Sequence, residues 1–415
     1  MRLAVCVTIL LLLTGQSLVA QDWPQWRGPS GDNHAADDAI APVEWSNNQN
    51  LVWSVAVPGR GHSSPTVVND RIYLTTADKS GQTQSLLIFN RQTGELITNT
   101  VVHQGGLTAT LHPNNTHASP TVASDGQRVF ALFNNGEAAW VTAFDLDGNR
   151  LWQQRAIGFD PKQYEFGFGS SPVYVGGLIV VASEYDGPES GIVALDAATG
   201  KPRWKIARPQ SLSYSTPALA VQNGQRYLVT SGNNSFTAYT PQSGQSLWSV
   251  EGSTFATCGT MVWSDRHGLV FASGGYPETF TSAVRADGSQ VAWTNNKIKC
   301  YEQSMLVVGD YLYAVTDRGL VHCLRVTDGQ EIWKQRLGGG FSSSPLLVDG
   351  KIYVTNERGT TFVFAASPEG YQRLGENQLG TDCFATPTPV GNRLYHRFAI
   401  GSGTERQEYL VAIGK

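Results

Sequence analysis

Apolar and polar residues alternate along the chain in short runs, and no stretch sustains the three-to-four-residue apolar spacing of a helix. Runs such as Ile72-Tyr73-Leu74, Val129-Phe130-Ala131, Tyr227-Leu228-Val229, Leu312-Tyr313-Ala314 and Ile352-Tyr353-Val354 are β-branched and aromatic, and predict strands. They recur within a larger unit. Each unit opens with Ser/Thr-Pro and a β-branched run, continues with a run of the Ile-Tyr-Leu kind, and closes with a third run, a polar Gly turn and a Trp. The openings are Ser64-Pro65, Ser119-Pro120, Ser171-Pro172, Thr216-Pro217, Ser344-Pro345 and Thr386-Pro387, with degenerate forms at Gly259-Thr260 and Gln303-Ser304. Their second positions lie 55, 52, 45, 43, 44, 41 and 42 residues apart, so the first two units carry insertions. The closing tryptophans are Trp152, Trp204, Trp248, Trp293 and Trp333. Units of this length with about four short strands each are the size of β-propeller blades.

The two ends of the repeat are complementary. The eighth unit finishes at Leu410-Val411-Ala412-Ile413 without a Trp strand, while Leu51-Val52-Trp53-Ser54-Val55 is a Trp strand without a unit. The expected fold is therefore all-β: an eight-bladed β-propeller of four-stranded antiparallel blades over 51–415, closed by the N-terminal strand completing the last blade. Closure leaves no blade with an orphan edge. Residues 21–50, rich in Asn, Asp, Pro and Trp, read as irregular and as covering one face or the outer wall of the ring.

Composition agrees with short strands: 44 Gly, 11 Trp, 15 Tyr and 16 Phe, with 15% charged residues. The formal net charge of −4 offers no basic excess for nucleic acid or an anionic membrane surface. Residues 1–20 read as a signal peptide, with Arg2 before an apolar Leu3 to Leu13 run too short to span a bilayer, and Ala20 at the cut. A periplasmic or extracellular location follows as an expectation. Gln21 stands where a lipoprotein would have Cys, and no later segment is long and apolar, so no transmembrane or lipid anchor is expected. The cysteines after the leader, Cys258, Cys300, Cys323 and Cys383, are too few for a disulfide scaffold and are expected as free thiols.

The third unit reads Ala194-Leu195-Asp196-Ala197-Ala198-Thr199-Gly200-Lys201-Pro202-Arg203-Trp204, and Ala238 to Trp248 and Cys323 to Trp333 keep its frame. This pattern resembles the tryptophan-docking motif of the PQQ-like (quinoprotein alcohol dehydrogenase-like, BamB-type) β-propeller repeat family. The resemblance implies that Trp204, Trp248 and Trp333 sit on outer strands and pack between blades, with Ala194, Asp196, Thr199 and Gly200 shaping the turn. Trp23-Pro24-Gln25-Trp26-Arg27-Gly28-Pro29, Gly61 to Pro65 and Thr116 to Pro120 further resemble an exported bacterial subgroup of that family. The Trp-Asp dipeptide of WD40 repeats never occurs. In the family's dehydrogenases PQQ stacks on a disulfide between adjacent cysteines, beside a calcium held by Glu and Asn. No two cysteines are adjacent here, and neither PQQ nor calcium is expected.

The resemblance also makes the Ser/Thr-Pro strand innermost, so the residues just before it should rim the axis. Three before each second position stand His62, His117, Gly169, Tyr214, Thr257, Tyr301, Ser342 and Phe384. His62, His117, Tyr214, Tyr301 and Phe384, with Glu302 beside them, form the expected ligand ring, whose stacking and hydrogen-bonding groups suit a sugar, a peptide or another planar ligand. Its interruptions suggest one pocket near blades 1 and 2 and another near blade 6. Two His without a located carboxylate do not make a metal site. No G-x-S-x-G, H-E-x-x-H or Walker loop is present. The expected function is a non-enzymatic binding or scaffold propeller of the bacterial cell envelope, with an envelope protein or glycan as partner. The alternative is a quinoprotein-like or other enzyme using the central funnel.

Overall fold

A computed structural model describes residues 22–415, so the expected leader at 1–20 lies outside the described residues. Eight four-stranded antiparallel sheets follow one another around an axis. Seven blades are continuous in sequence, at 66–104, 123–158, 173–207, 218–251, 262–295, 306–336 and 346–378. The eighth combines strands within 388–414 with Leu51–Val57, which lies outermost against Gln407–Gly414 in the register Trp53↔Ala412 and Val55↔Leu410. Middle strands such as Leu178–Ser183 are buried at every residue because neighbouring blades cover both faces, whereas outer strands such as Pro202–Ala207 alternate between exposed and half-buried. Among the described residues no helix is long and apolar enough to cross a membrane.

Next to the axis the blades are joined by a belt of hydrogen bonds. The backbone N–H of Ser64 donates to Thr121 Oγ1, Thr121 to Ser171 Oγ, Ser171 to Thr216 Oγ1, Thr260 to Ser304 Oγ, Ser304 to Ser344 Oγ, Ser344 to Thr386 Oγ1, and Thr386 back to Ser64 Oγ, all at 2.9–3.0 Å. Between blades 4 and 5 the hydroxyl of Thr260 instead accepts the Trp26 indole N–H at 3.0 Å. The belt corrects the register of three units. Thr121, not Ser119, is the second blade's equivalent of Ser64, because Ala123↔Phe130 matches Thr66↔Tyr73. In blades 5 and 6 the equivalents are Thr260 and Ser304, one residue later than the assigned first positions Gly259 and Gln303.

The outer wall is joined by tryptophans, each docking on the following blade. The indole N–H of Trp152 donates to Ala197 O, Trp204 to Pro241 O, Trp248 to Ala286 O, Trp293 to Val326 O and Trp333 to Ser367 O, at 2.8–3.2 Å. The motif glycine serves the previous blade's ring: Gly200, at φ +72°, would place a Cβ 2.7 Å from Trp152. Asp196 holds that turn open for it by accepting the amides of Ala198 and Thr199 and the Thr199 hydroxyl. Within a blade, the small residue faces its own Trp across a register shift, as in Ala194↔Trp204 and Ala238↔Trp248.

Blade 7 lacks its tryptophan. Gly375 occupies the place opposite Val363 that Trp333 occupies opposite Cys323 in blade 6. The irregular N-terminal segment fills the gap. Trp45 stacks on Tyr353 with centroids 6.3 Å apart, much as Trp333 lies 6.0 Å from Tyr313. Asn377 ties the segment down, accepting the Trp45 amide and donating to Val43 O. Upstream, the same segment plugs the channel. It pairs Trp23 with Val67 of blade 1, takes the Tyr174 amide of blade 3 on Gln25, reaches Met305 O of blade 6 with Arg27, and bonds Asn33 to Pro345 and Leu347 of blade 7. Residues 22–50 therefore cover both an axial face and the outer wall. Trp45→Ala should lower unfolding free energy by about 3 kcal/mol, the cost of emptying a buried aromatic site. Urea melts read it, and a loss under about 1 kcal/mol would show that Trp45 does not replace the missing docking residue.

Candidate funnel site

The end of the channel opposite the plug opens into a cavity of about 450 Å³. Two residues before each belt hydroxyl stand His62, Ser119, Gly169, Tyr214, Cys258, Glu302, Ser342 and Phe384, and all eight line this one cavity. The belt explains why: fixing one residue per blade aims its neighbour two positions back, which has the same strand orientation, into the same funnel. His62, Tyr214, Tyr301, Glu302 and Phe384 are thus brought together as the sequence suggests, in one cavity rather than two. His117 is not among them. It sits two residues off the true register, outside the funnel, with Nε2 2.9 Å from Thr108 O. Thr257 is likewise displaced by one and buried, donating to Ser231 O at 2.7 Å.

Three loops build the upper wall. The first two inserted connections contribute His112, Asn114 and Asn115, and Tyr164 and Phe166; the turn after Leu269–Gly274 contributes Tyr276. Their rings form a continuous series, with His112 5.4 Å from Phe166, Phe166 5.6 Å from Tyr164 and 6.3 Å from Tyr214. The hydroxyls of Tyr164 and Tyr276 meet at 3.3 Å, joining loops from different sides of the mouth. These residues lie outside the repeat positions; the insertion lengths of the first two units are the only trace in the sequence of the first two loops, and Tyr276 of blade 5 has none. On the other side His62 stacks on Phe384 at 4.3 Å and 13°.

Beneath His62 lies the buried closure of the ring. Arg397 donates to Glu408, Ser63 Oγ and Thr75 O, and Glu408 also accepts from Arg406 and from the Gly61 amide. Gly61 is required there, since a Cβ would lie 2.8 Å from Arg397 Nη2. Burial, then Arg60, Arg397 and Arg406, push the His62 pKa well below its usual value, so its imidazole is neutral. His62 Nε2 and the Tyr214 hydroxyl have no hydrogen-bond partner although both are buried.

Opposite them, Ser342 Oγ lies 2.6 Å from Glu302 Oε2 and 2.8 Å from Glu357 Oε1. One hydroxyl carries one proton, so the second carboxyl must bring its own. Burial raises the Glu302 pKa, with repulsion from Glu357 and Asp317 adding to it against the Ser342 bond, so the proton is favoured on Glu302. Cys258 adjoins Tyr301, and burial pushes its thiol up, leaving it protonated. Cys383, a buried thiol 3.1 Å from His396 Nε2, has the spacing of a nucleophile and base. Burial raises the thiol and lowers the imidazole to about 4, so both are neutral, and neither lines the cavity.

The sequence matches the family described as outer membrane protein assembly factor BamB over 42–140, 137–296, 256–335 and 281–370. Similar solved structures include BamB from Moraxella catarrhalis (TM-score 0.60, 13% identity, 87% of this chain and 96% of that one). A quinohemoprotein alcohol dehydrogenase from Pseudomonas putida HK5 gives 0.65 at 11%, covering 94% and 80%. A europium-containing methanol dehydrogenase gives 0.64 at 11%, covering 92% and 90%. At these identities the likeness is one of fold. No curated protein sequence matches the chain. The residues do not fit PQQ: the four cysteines among the described residues are free and none adjoins another.

The charge state of Glu302 is testable. A carboxyl whose pKa is raised by folding stabilises the native state fully at low pH, and that contribution is lost as pH rises through the folded value. Glu302→Gln, which keeps a donor towards Ser342, should melt higher than wild type at pH 8, the difference vanishing near pH 4.5. A variant less stable than wild type at pH 8 would mean that Glu302 is held ionised.

Proposed function

The chain belongs to the family of the outer membrane protein assembly factor BamB, and from that premise we propose that it is an exported, non-enzymatic binding propeller of the bacterial cell envelope. It takes its ligand, a glycan or a segment of a partner protein, in the single-ended funnel. The observation that carries this reading is the convergence of all eight rim positions on one cavity that keeps two buried polar groups, His62 Nε2 and the Tyr214 hydroxyl, without partners. An unpartnered buried polar atom costs roughly 1–3 kcal/mol, and a ligand hydroxyl that reaches it after a small rotation of the cavity-wall side chains recovers much of that cost. The aromatic wall supplies stacking area at low entropy cost. A neutral His62, a protonated Glu302, and Asn114 and Asn115 offer donors and acceptors with little net charge, the chemistry of a sugar ring rather than of a free ion.

The alternative of an enzyme rests on the Glu302–Ser342–Glu357 chain, which holds a proton at the cavity wall. Only Glu302 of that chain and Ser342 line the cavity, so the second carboxylate is not placed to act on a bound molecule. Adding PQQ and calcium should leave the visible absorbance equal to that of free PQQ; a shifted, protein-dependent band would support a quinoprotein instead.

Binding itself is tested by Tyr214→Phe, which removes only the unpartnered hydroxyl. Ligands identified by an envelope-glycan array and by pull-down should bind about 5- to 10-fold more weakly, the worth of one hydrogen bond, while Tm stays constant or rises. Unchanged affinity for every ligand found would sink the funnel reading.

A further inference from the structure

A second depression lies on the funnel face, between blades 5 and 6, with a volume of about 710 Å³. The connection leaving Val291–Asn295 and the turn before Leu320–Arg325 form its sides, and Lys297, Lys299, Arg318 and Lys334 line it against Asp317 and Glu331. The acids are already engaged. Glu331 lies 2.8 Å from His322 Nδ1 and 3.2 Å from Lys334 Nζ, and Asp317 accepts the Tyr301 amide and lies 3.5 Å from Lys299 Nζ. Lys297 and Arg318 are exposed and form no ion pair among the described residues. A cationic groove on a chain of net charge −4 runs against the average of the surface.

Lys299 joins this groove to the funnel, for it lines both. It is held in place rather than trailing in solvent. Its stem crosses Gly275, where a Cβ would lie 2.2 Å from Lys299 Cε, and its ammonium sits 5.2 Å above the Tyr301 ring. Any unit bound in the funnel against Tyr301 therefore has a fixed positive charge at its exit on the side of blades 5 and 6.

Resting on the funnel reading, we propose that the ligand is an acidic glycan: one sugar unit stacks in the funnel, and the carboxylate or sulfate of an adjoining unit lies in the groove with Lys299, Lys297 and Arg318. The two parts divide the chemistry. The funnel, nearly uncharged, recognises the ring, and the groove selects for the anion.

The test titrates the whole protein at low salt with hexagalacturonate, its methyl ester, a sulfated hexasaccharide and a single-stranded oligonucleotide of equal charge. The ester carries the same rings without the charge, and the two acids separate carboxylate from sulfate as the anion's source. At least one acidic hexasaccharide should bind tenfold or more tighter than the ester and the oligonucleotide. Lys297→Glu with Arg318→Glu, both exposed, should bring that affinity down to the ester's without changing Tm. Acid and ester binding alike, no binding of any hexasaccharide, an oligonucleotide binding as well as the acids, or a preference that survives the double substitution would each overturn the proposal. The two readings fail separately. If Tyr214→Phe weakens acid and ester together while charge reversal does nothing, the funnel stands and the groove falls. If charge reversal abolishes acid binding and Tyr214→Phe does nothing, the funnel reading falls and the two-part site with it.

Discussion

Everything near the axis depends on how eight inner strands satisfy their free edges. A strand at the edge of a sheet presents amides with no partner in its own blade, and a propeller brings eight such edges together where water is scarce. The Ser and Thr hydroxyls from Ser64 to Thr386 answer that need by accepting an amide of the preceding blade. The bond does more than satisfy a donor. It locks each blade's height and rotation against the next, and so decides which side chain enters the funnel. The cavity is a by-product of the belt: Phe384 and His62 stack, and Glu302 reaches Ser342, because Thr386, Ser64, Ser304 and Ser344 are pinned.

The same bond explains what could be read in the sequence. Where a proline follows the belt hydroxyl, as at Ser64, Ser171, Thr216, Ser344 and Thr386, the register is marked and the rim residue is correctly identified. In the second blade the proline follows Ser119, while the belt uses Thr121 on its other side, and the assignment slips to His117. In blades 5 and 6 Met261 and Met305 stand in the proline's place, nothing marks the position, and Thr257 is named where Cys258 lines the cavity. Glu302 entered the candidate set only as a neighbour of Tyr301. The fold was legible because eight copies of a pattern average out local error, whereas a site built from one residue per copy inherits each error in full.

Charge is distributed with the same economy. Arg397 and Glu408 are buried on neighbouring strands at the junction of the last and first blades, and Arg406 and Asp382 extend the ion cluster at its half-buried edge. Buried pairs of this kind add little net stability but penalise any misalignment heavily. They therefore specify how the ring closes. The funnel above them holds only Lys299 and Glu302 of the Lys, Arg, Asp and Glu side chains in its lining, and Lys297 and Arg318 add positive charge beside it at blades 5 and 6.

The segment that plugs the channel is made first and seated last. Trp23 needs blade 1, Gln25 blade 3, Arg27 blade 6 and Asn33 blade 7, and Leu51–Val57 needs the final strand of the chain. Blades 6 and 7 and the final strand do not exist while the ribosome is still working through the middle of the sequence. The growing chain must carry Trp45, whose partner Tyr353 lies in blade 7, and an unpaired β-strand until its last residues emerge. Contacts so distant in sequence are slow to form and leave sticky edges exposed meanwhile. The molecule is thus most vulnerable to misassembly just before completion, and a shielding factor that grips its N-terminal segment during that interval would protect it more than one acting on any blade.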